Sequence, residues 1–338
     1  MNCHTAAFLR RRKKNLRVQK KENEGSGGLQ LKIVVLCGGV STEREVSLSS
    51  GAAVAKGLSE AGFEAILEDV SSIPDLIERW PSFGADAAFV ALHGGWGEDG
   101  RLQAAMDAHG IPYTGSGPRS CRFAMDKETA RGVLEMSGIP TPPGFAVTYD
   151  QSHNLAEAVK NWGKVVVKPA SGGSTVGVVI ADDPSVARGG LIAVWDIDSK
   201  AIVEKYIPGR EMTVAVFGSD AEAFAMPVVE IRPKSGFYDY GSKYTAGASE
   251  YLCPAHLCDD LAEKIRDYAC RAHTALGCKT YSRVDFRVTD DDEVYALEAN
   301  TAPGMTATSL VPKAAAAHGW DFPELLRRIV ADCVAVGS

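Results

Sequence analysis

Acidic side chains on two neighbouring β-like segments near the C terminus are the residues of this chain best suited to chemistry. The segments are SRVDFRV (282–288) and EVYALEAN (293–300). Apolar and polar residues alternate along the first segment, which is typical of a half-buried strand. If residues 291–292 form a two-residue hairpin turn, Asp285 on one strand lies directly opposite Glu298 on the other.

This cross-strand pair of carboxylates indicates a metal site. Cβ atoms across such a pair are about 5 Å apart, and two like charges destabilise it unless a counter-ion is present. Asp, Glu and Asn offer only oxygen ligands, which favours Mg²⁺ completed by substrate phosphates. We therefore expect Asp285, Glu298 and Asn300 to hold the metal, with a solvated surface pair as the alternative. Three residues of the second strand are expected to face the opposite side: Tyr295, Leu297 and Ala299.

A lysine followed by a glycine-rich loop could bind a nucleotide. Lys168 ends the apolar run 165–167 just before Pro169, where we expect the strand to stop. The loop Ser-Gly-Gly-Ser-Thr (171–175) offers closely spaced backbone N–H groups to phosphate oxygens. It is not a P-loop, because the G-x-x-x-x-G-K-[ST] pattern is absent. A plain β-turn is the alternative.

Glu43 lies in GGVSTEREVSLSSG (38–51), between a predicted strand and a predicted helix. The segment lacks G-x-G-x-x-G, which argues against a dinucleotide cofactor. A carboxylate at a helix start is stabilised by the helix dipole, so a structural role is one interpretation. The other is that Glu43 receives a substrate ammonium group.

The elements that must position these residues indicate an α/β protein with three parts. We expect an N-terminal α/β domain with a parallel sheet at 31–120, because strand, glycine turn and helix follow one another there. A smaller segment, 121–210, contains a helix in MDKETARGVLEMSG (125–138) and the two β-rich runs around the glycine loop. The segment 211–338 mixes strands with helices near its middle and end.

Composition and charge limit the possible partners. The chain has 338 residues, a net charge of −7 and eight cysteines without a C-x-x-C pair. Residues 1–30 contain eight Lys/Arg against two Glu, and we expect a disordered basic extension there, with no secretory signal. The acidic remainder argues against nucleic acid, and no apolar run approaches the roughly 18–20 residues of a membrane span. Reduced cysteines in a cytoplasmic protein are expected; a metal site at Cys253, His256 and Cys258 is a weak alternative.

Taken together, the motifs resemble those of the D-alanine–D-alanine ligases. The matching blocks follow the family's order: GGVSTEREVSLSSG (38–51), ALHGGWGEDG (91–100), YTGSG (113–117), MDK (125–127), VVVKPASGGSTVGV (165–178), EKYIPGREMTV (204–214), FYDYGSKY (237–244), SRVDF (282–286) and EANTAPGMTATSLVP (298–312). The resemblance implies an ATP-grasp fold, with an N-terminal parallel α/β domain, a small central α+β domain and a C-terminal α+β domain. It also implies a lid loop at 236–253.

The resemblance further implies a role for individual residues. The positions expected to bind ATP are Lys127, Lys168, Glu204, Lys205, Ile207, Glu211 and Lys243. The positions expected in catalysis are Glu43, Ser174, Tyr244, Arg283 and Gly304, and those expected to bind D-alanine are His93, Ser309 and Leu310. The metal positions are those deduced above, now with two Mg²⁺ or Mn²⁺ ions.

The implied reaction is ATP-dependent ligation of two D-alanines through D-alanyl phosphate, for peptidoglycan precursors. A cytoplasmic homodimer is expected, without nucleic-acid or membrane partners. A D-alanine–D-lactate ligase is the nearest alternative, and Tyr244 argues against it. Another ATP-grasp carboxylate–amine ligase and a nucleotide-binding regulatory module are more distant ones. Lys313 stands where the family more often has an apolar residue.

Overall fold

The computed structural model describes residues 30–149, 155–173, 175–234, 247–306 and 308–336. The strands are β1 Lys32–Gly38, β2 Glu64–Val70, β3 Ala87–Val90, β4 Gly144–Thr148, β5 Val165–Pro169, β6 Val179–Ala181, β7 Lys200–Lys205, β8 Arg210–Phe217, β9 Phe224–Ala225, β10 Val229–Pro233, β11 Ser249–Leu252, β12 Tyr281–Val288 and β13 Val294–Asn300. The helices are α1 Arg44–Glu60, α2 Ile73–Phe83, α3 Arg101–Ala108, α4 Pro118–Met125, α5 Lys127–Met136, α6 Leu155–Trp162, α7 Pro184–Trp195, α8 Asp259–Ala275, α9 Leu310–His318 and α10 Phe322–Val336.

The N-terminal part contains the expected parallel sheet, in the order β2-β1-β3. Strands β1 and β3 are apolar and buried, as strands of a covered parallel sheet are, whereas the edge strand β2 carries acidic residues and is partly exposed. Helix α1 packs closely on α10 at Gly57, where an added Cβ would come 2.6 Å from Leu326 Cδ1. Ile33, Phe89 and Leu326 share one core cluster, so the N-terminal sheet and the C-terminal helices are packed together.

The central part contains a four-stranded antiparallel sheet in the order β4-β7-β5-β6. The two β-rich runs around the glycine loop are β5 and β6, as the sequence predicts. The expectation that the strand stops before Pro169 was wrong, because Pro169 still pairs with Ala201 of β7. Proline is tolerated there because β6 pairs with β5 only as far as Val167, so no partner on that side needs the missing N–H.

The C-terminal part contains an antiparallel sheet in the order β11-β10-β8-β12-β13, with β9 paired to β8. Val284, Phe286 and Val288 are fully buried, which confirms the predicted alternation along β12. Residues 249–252, inside the predicted lid loop 236–253, form the edge strand β11. Residues 236–246 of that loop lie outside the described residues.

The hairpin of β12 and β13 brings Asp285 opposite Glu298, as predicted, but by another route. The predicted two-residue turn was wrong. The loop spans 290–292, between Thr289 and Glu293, whose backbones are hydrogen-bonded at 2.9 Å. That loop shifts the pairing by one residue, and a β-bulge at Leu297 shifts it back.

The bulge also changes which side chains of β13 share a face. Val294, Ala296 and Ala299 are buried in the core behind the sheet. Leu297 instead lines the same cleft as Glu298. The expectation that Tyr295 and Leu297 face the side of Ala299 was therefore wrong, because the extra residue resets the alternation.

Candidate functional site

Two adjoining clefts contain all the predicted site residues that the structure describes. Cleft I lies between the central sheet and the β12–β13 hairpin, and cleft II lies between the hairpin and the N-terminal part. The predicted residues that line cleft I are Lys127, Lys168, Glu204, Lys205, Ile207, Glu211, Asp285 and Glu298. Those that line cleft II are Glu43, His93, Arg283, Glu298, Asn300, Gly304, Ser309 and Leu310. Glu298 lines both clefts.

Lys168 and Glu204 form a buried ion pair in cleft I. Lys168 is 8% exposed and Glu204 is 6% exposed, and Lys168 Nζ lies 2.5 Å from Glu204 Oε1. Strand register explains the contact: Glu204 pairs with Val166, and Lys168 is two residues further along the same face of β5. A buried charge requires such a partner, so each residue fixes the other.

Lys127 lies against the glycine-rich loop. Its Nζ donates to the carbonyl of Gly172 at 2.6 Å, and its backbone N–H donates to the carbonyl of Ala170 at 2.9 Å. The loop is also anchored by Asp198, whose carboxylate accepts from the N–H of Ser171 at 2.8 Å and from its hydroxyl at 2.6 Å. Sequence analysis did not identify Asp198, because it follows a helix far from any recognisable motif.

Arg287, which lines cleft I, is a second residue that sequence analysis did not assign. It lies 3.4 Å from Glu211 and donates to the carbonyl of Ile207 at 3.1 Å. Register across β12 and β8 places Arg287 opposite Glu211, so the ion pair follows from the sheet. The alternation along β12 was the available signal, since it puts Arg287 on the same face as Asp285.

Asp285 already has a positive partner. Arg283, two residues away on the same face of β12, donates to both carboxylate oxygens at 2.9 and 2.8 Å, and Thr213 Oγ1 donates at 2.5 Å. The cross-strand carboxylate pair therefore does not by itself require a metal ion, which weakens that part of the sequence argument. Asn300 Oδ1 accepts from the N–H of Ala302 at 2.9 Å, and its second lone pair is available for another partner.

Glu43 stands at the entrance of cleft II as the N-cap of α1, without a side-chain capping bond. An added Cβ at Gly94 would come 2.7 Å from Glu43 Oε2, so a side chain there would displace the carboxylate. Gly94 also has φ of 62°, a conformation that glycine adopts most easily. Ser41 Oγ donates to the carbonyl of His93 at 2.6 Å and links the two loops.

His93 is buried and fully hydrogen-bonded. A carbonyl can only accept, so His93 Nδ1–H donates to Ala302 at 3.0 Å, and Nε2 accepts from the hydroxyl of Ser50 at 2.8 Å. Burial lowers the pKa of His93 below its usual value, although nearby Glu43 acts in the opposite direction. A neutral imidazole with both nitrogens bonded positions its loop against residue 302 rather than exchanging protons.

Glu98 is a third residue that sequence analysis left unassigned. It follows the third strand in the block ALHGGWGEDG and lines cleft II. Burial, followed by the charge of Glu43, raises the pKa of Glu98 to about 8, while the N–H of Gly94 and the charge of Arg283 act to lower it. A carboxyl group that is neutral near pH 7 can donate a hydrogen bond as well as accept one.

The loop before α9 completes cleft II. Ser309 is the N-cap of α9, and its Oγ accepts from the N–H of Thr306 at 3.0 Å. An added Cβ at Gly304 would come 3.1 Å from Ser309 Oγ, so Gly304 brings its backbone close to this loop. Three predicted site residues lie outside the described residues: Ser174, Lys243 and Tyr244.

Three further findings concern the described residues. Those cysteines are free thiols: Cys37, Cys121, Cys253, Cys258, Cys270, Cys278 and Cys333. No group of three or more His, Cys, Asp or Glu side chains that could hold a metal ion was found in the described part of the chain. Within that part, no helix is both long and apolar enough to cross a membrane.

Comparison with known proteins identifies the family. Residues 133–331 match the family described as "D-ala D-ala ligase C-terminus". The chain is 44% identical over 302 residues to the D-alanine--D-alanine ligase of Syntrophotalea carbinolica, covering 89% of this chain and 96% of that one. It is also 44% identical over 295 residues to the D-alanine--D-alanine ligase of Acidiphilium cryptum, covering 87% and 95%.

A solved structure agrees over nearly the same length. The D-alanine--D-alanine ligase of Bacillus anthracis complexed with ATP superposes with a TM-score of 0.80 at 34% identity, covering 91% of this chain and 98% of that chain. The α/β architecture is therefore that of the ATP-grasp fold. Sequence identity over most of both chains, together with this similarity of fold, shows that the protein belongs to the D-alanine–D-alanine ligase family.

Proposed function

We propose that this protein joins two D-alanines to D-alanyl-D-alanine, with cleavage of ATP to ADP and phosphate, for peptidoglycan precursor synthesis. The observation that carries the proposal is the position of Glu298 in both clefts. Cleft I offers Lys127, Lys168 and a glycine-rich loop, which suit the phosphates of ATP. Cleft II offers Glu43, which suits an amino group. The two substrates would meet at Glu298.

In the first step, a carboxylate oxygen of the first D-alanine attacks the γ-phosphate of ATP, giving D-alanyl phosphate and ADP. Lys168 is held in place by Glu204, and Lys127 by the loop at Gly172, so both would be positioned to neutralise the phosphates. Such a step depends mainly on positioning and neutralisation of charge. Glu43 would hold the ammonium group of the first D-alanine, with His93 near its carboxylate.

The donor set fits two Mg²⁺ or Mn²⁺ ions. Glu298 lies between the clefts. Asp285 lies opposite it across the hairpin, and Asn300 follows it two residues later on β13. These residues supply only oxygen ligands, as hard divalent cations prefer. When bound, the ions would neutralise phosphate charge and orient the transferred group. Arg283 would then exchange part of its contact with Asp285 for a developing oxyanion.

In the second step, the amine of the second D-alanine attacks the acyl phosphate carbonyl and phosphate leaves. Arg283 and the N–H of Gly304 would stabilise the tetrahedral oxyanion. Ser309 and Leu310 would contact the second D-alanine. For the residues outside the described part, Tyr244 would bond with Ser174 and Glu43 when the lid closes, and Lys243 would bind ATP. Closure of the lid would exclude water from the intermediate.

The remaining assignments belong to the same proposal. Glu204, Lys205 and Ile207 would line the adenine, and Glu211 would accept from the ribose hydroxyls. We propose domain limits of 31–120, 121–210 and 211–338, with residues 1–30 as an extension. We also propose a cytoplasmic homodimer.

Release of ADP with D-alanine as the only amino acid tests the function. We expect release that depends on D-alanine and yields dipeptide, and little depsipeptide when D-lactate is added in parallel. Depsipeptide as the main product near neutral pH would identify a D-alanine–D-lactate ligase instead. ATP cleavage that does not depend on D-alanine would contradict both.

A further inference from the structure

Lys313 contacts the wall of cleft II from outside. Its Nζ lies 5.5 Å from the centre of the Tyr251 ring, within the range of a cation–π contact. Tyr251 lines cleft II together with Ser309 and Leu310, whereas Lys313 does not. The Tyr251 ring therefore separates the Lys313 ammonium group from the cleft.

The backbone of Lys313 ties the same wall together. Its N–H donates to the carbonyl of Ser309 at 3.1 Å, and this hydrogen bond closes the first turn of α9. Its carbonyl accepts from the thiol of Cys253 at 3.8 Å, two residues after Tyr251. Lys313 thus connects the edge strand β11, which carries Tyr251, to the helix start that carries Ser309.

The charges on the described residues of cleft II indicate what the ammonium group of Lys313 contributes there. Four acidic side chains line the cleft: Glu43, Glu45, Glu298 and Glu98, whose pKa of about 8 leaves it mostly protonated near pH 7. The basic residue among its lining is Arg283, which is ion-paired with Asp285 at 2.8 Å. A second amino acid that enters this cleft brings another carboxylate. The ammonium group of Lys313 is a positive charge on the wall beside Ser309, where it would offset part of that repulsion.

We propose that Lys313 is a positioning residue for the acceptor amino acid. It holds the Tyr251 ring against cleft II and adds positive potential for the acceptor carboxylate. The inference rests on the proposed function, since it concerns the second D-alanine. It predicts an effect on acceptor binding alone, and none on the ATP cleft.

Substitution of Lys313 by Met tests the inference, because Met keeps an unbranched apolar stem without the charge. We expect Lys313→Met to raise the KM of the acceptor D-alanine about two- to five-fold, with the KM of ATP unchanged. Lys313→Arg should restore the wild-type KM, because Arg keeps the charge and stacks on aromatic rings. The acceptor KM of wild type should also rise with added KCl more steeply than that of Lys313→Met.

Lys56→Met is a matched control, since Lys56 is 80% exposed on α1 and outside both clefts. Unfolding midpoints of the variants separate a loss of stability from a loss of binding. The inference is overturned if wild type ligates D-alanine and Lys313→Met has the wild-type acceptor KM and salt dependence. It is also overturned if Arg fails to restore them. Wild type that does not ligate D-alanine would instead overturn the proposed function and this inference with it.

Discussion

The two clefts are built in different ways, although they share a wall. In cleft I, each of two cations is paired with an acid on an adjacent strand: Lys168 with Glu204, and Arg287 with Glu211. In cleft II, loops from distant parts of the chain converge and carry an excess of carboxyl groups. Cleft I is therefore fixed by strand register, and cleft II by contacts between loops.

Because of this difference, we expect substitutions in the two clefts to affect stability and ligand binding to different extents. A buried ion pair that spans two strands is part of the core, so its loss destabilises the fold. Glu43 makes no side-chain capping bond, so it does not stabilise the start of α1 in that way. Its place on the lining of cleft II suits a ligand. We expect substitutions in cleft I to affect both folding and activity, and those in cleft II to affect mainly activity.

The largest effect is expected at the shared wall. Glu298→Gln keeps the volume but removes a charge that the proposed metal ions need, worth several kcal/mol of transition-state stabilisation. We expect kcat to fall on the order of 10³-fold or more, with an unchanged unfolding midpoint. Glu222→Gln, at an exposed position, is the control. Removal of divalent cations with a chelator should abolish activity in the wild type, and added Mg²⁺ should restore it. Turnover near the wild-type rate in Glu298→Gln would refute the metal assignment.

The next largest effect is expected on stability, and it is tested by one substitution in each cleft. Lys168→Met leaves Glu204 buried without its partner, and should lower the free energy of unfolding by about 3–5 kcal/mol. Glu43→Gln should lower it by less than about 1 kcal/mol, because the favourable interaction of the charge with the helix start is weak and its loss also removes repulsion from Glu98. The double variant Lys168→Met/Glu204→Leu should regain most of the lost stability without regaining activity. Urea unfolding measures all three, and equal losses at Lys168 and Glu43 would remove the distinction between the clefts.

A pH-dependent effect is expected at Glu98. Its pKa is raised from 4.5 to about 8, so between these values the folded protein keeps a proton that the unfolded chain has released. Stability from this group therefore falls as pH rises from about 5 to 8, by at most about 1.4 kcal/mol per unit of pH. Glu98→Gln removes the titration. The variant should gain stability relative to wild type across this window, measured by urea unfolding at pH 5.5 and pH 8. A difference that does not change with pH would mean that Glu98 is ionised in the folded protein.

The smallest effect is expected in the hairpin loop, which lies outside both clefts. Asp292 has φ of 59°, a conformation that costs a non-glycine residue free energy. Asp292→Gly should therefore leave kcat unchanged and raise stability by no more than about 1 kcal/mol. A loss of activity in this variant would show that the loop, rather than the bulge, sets the position of Glu298.

The sequence predicts the features that depend on local signals, and it does not predict those that depend on contacts between distant segments. Strands β5, β6, β8, β12 and β13 were predicted, because alternation and glycine turns are local signals. Most of the residues that line the two clefts were instead predicted from the resemblance to the ligase family. The facing pair of Asp285 and Glu298 was also predicted, although from a wrong turn. Two opposite shifts of one residue, in the loop and at Leu297, cancelled at that pair.

Other features depend on contacts that no local pattern reveals. The ion pair of Arg283 with Asp285 is an exception, because its signal was local: residues two apart share a face of a strand. The burial of Glu98 could not be expected, because it depends on the packing of loops from separate segments. Asp198 and the extent of β11 likewise depend on neighbours distant in sequence.

The shared position of Glu298 has a thermodynamic consequence. A ligand in cleft I that changes the position or charge of this side chain also changes the wall of cleft II. Binding in the two clefts is then energetically coupled, and such coupling is reciprocal. If nucleotide strengthens the binding of D-alanine by some factor, D-alanine must strengthen the binding of nucleotide by the same factor. With such coupling, independent dissociation constants would not describe the binding of nucleotide and D-alanine.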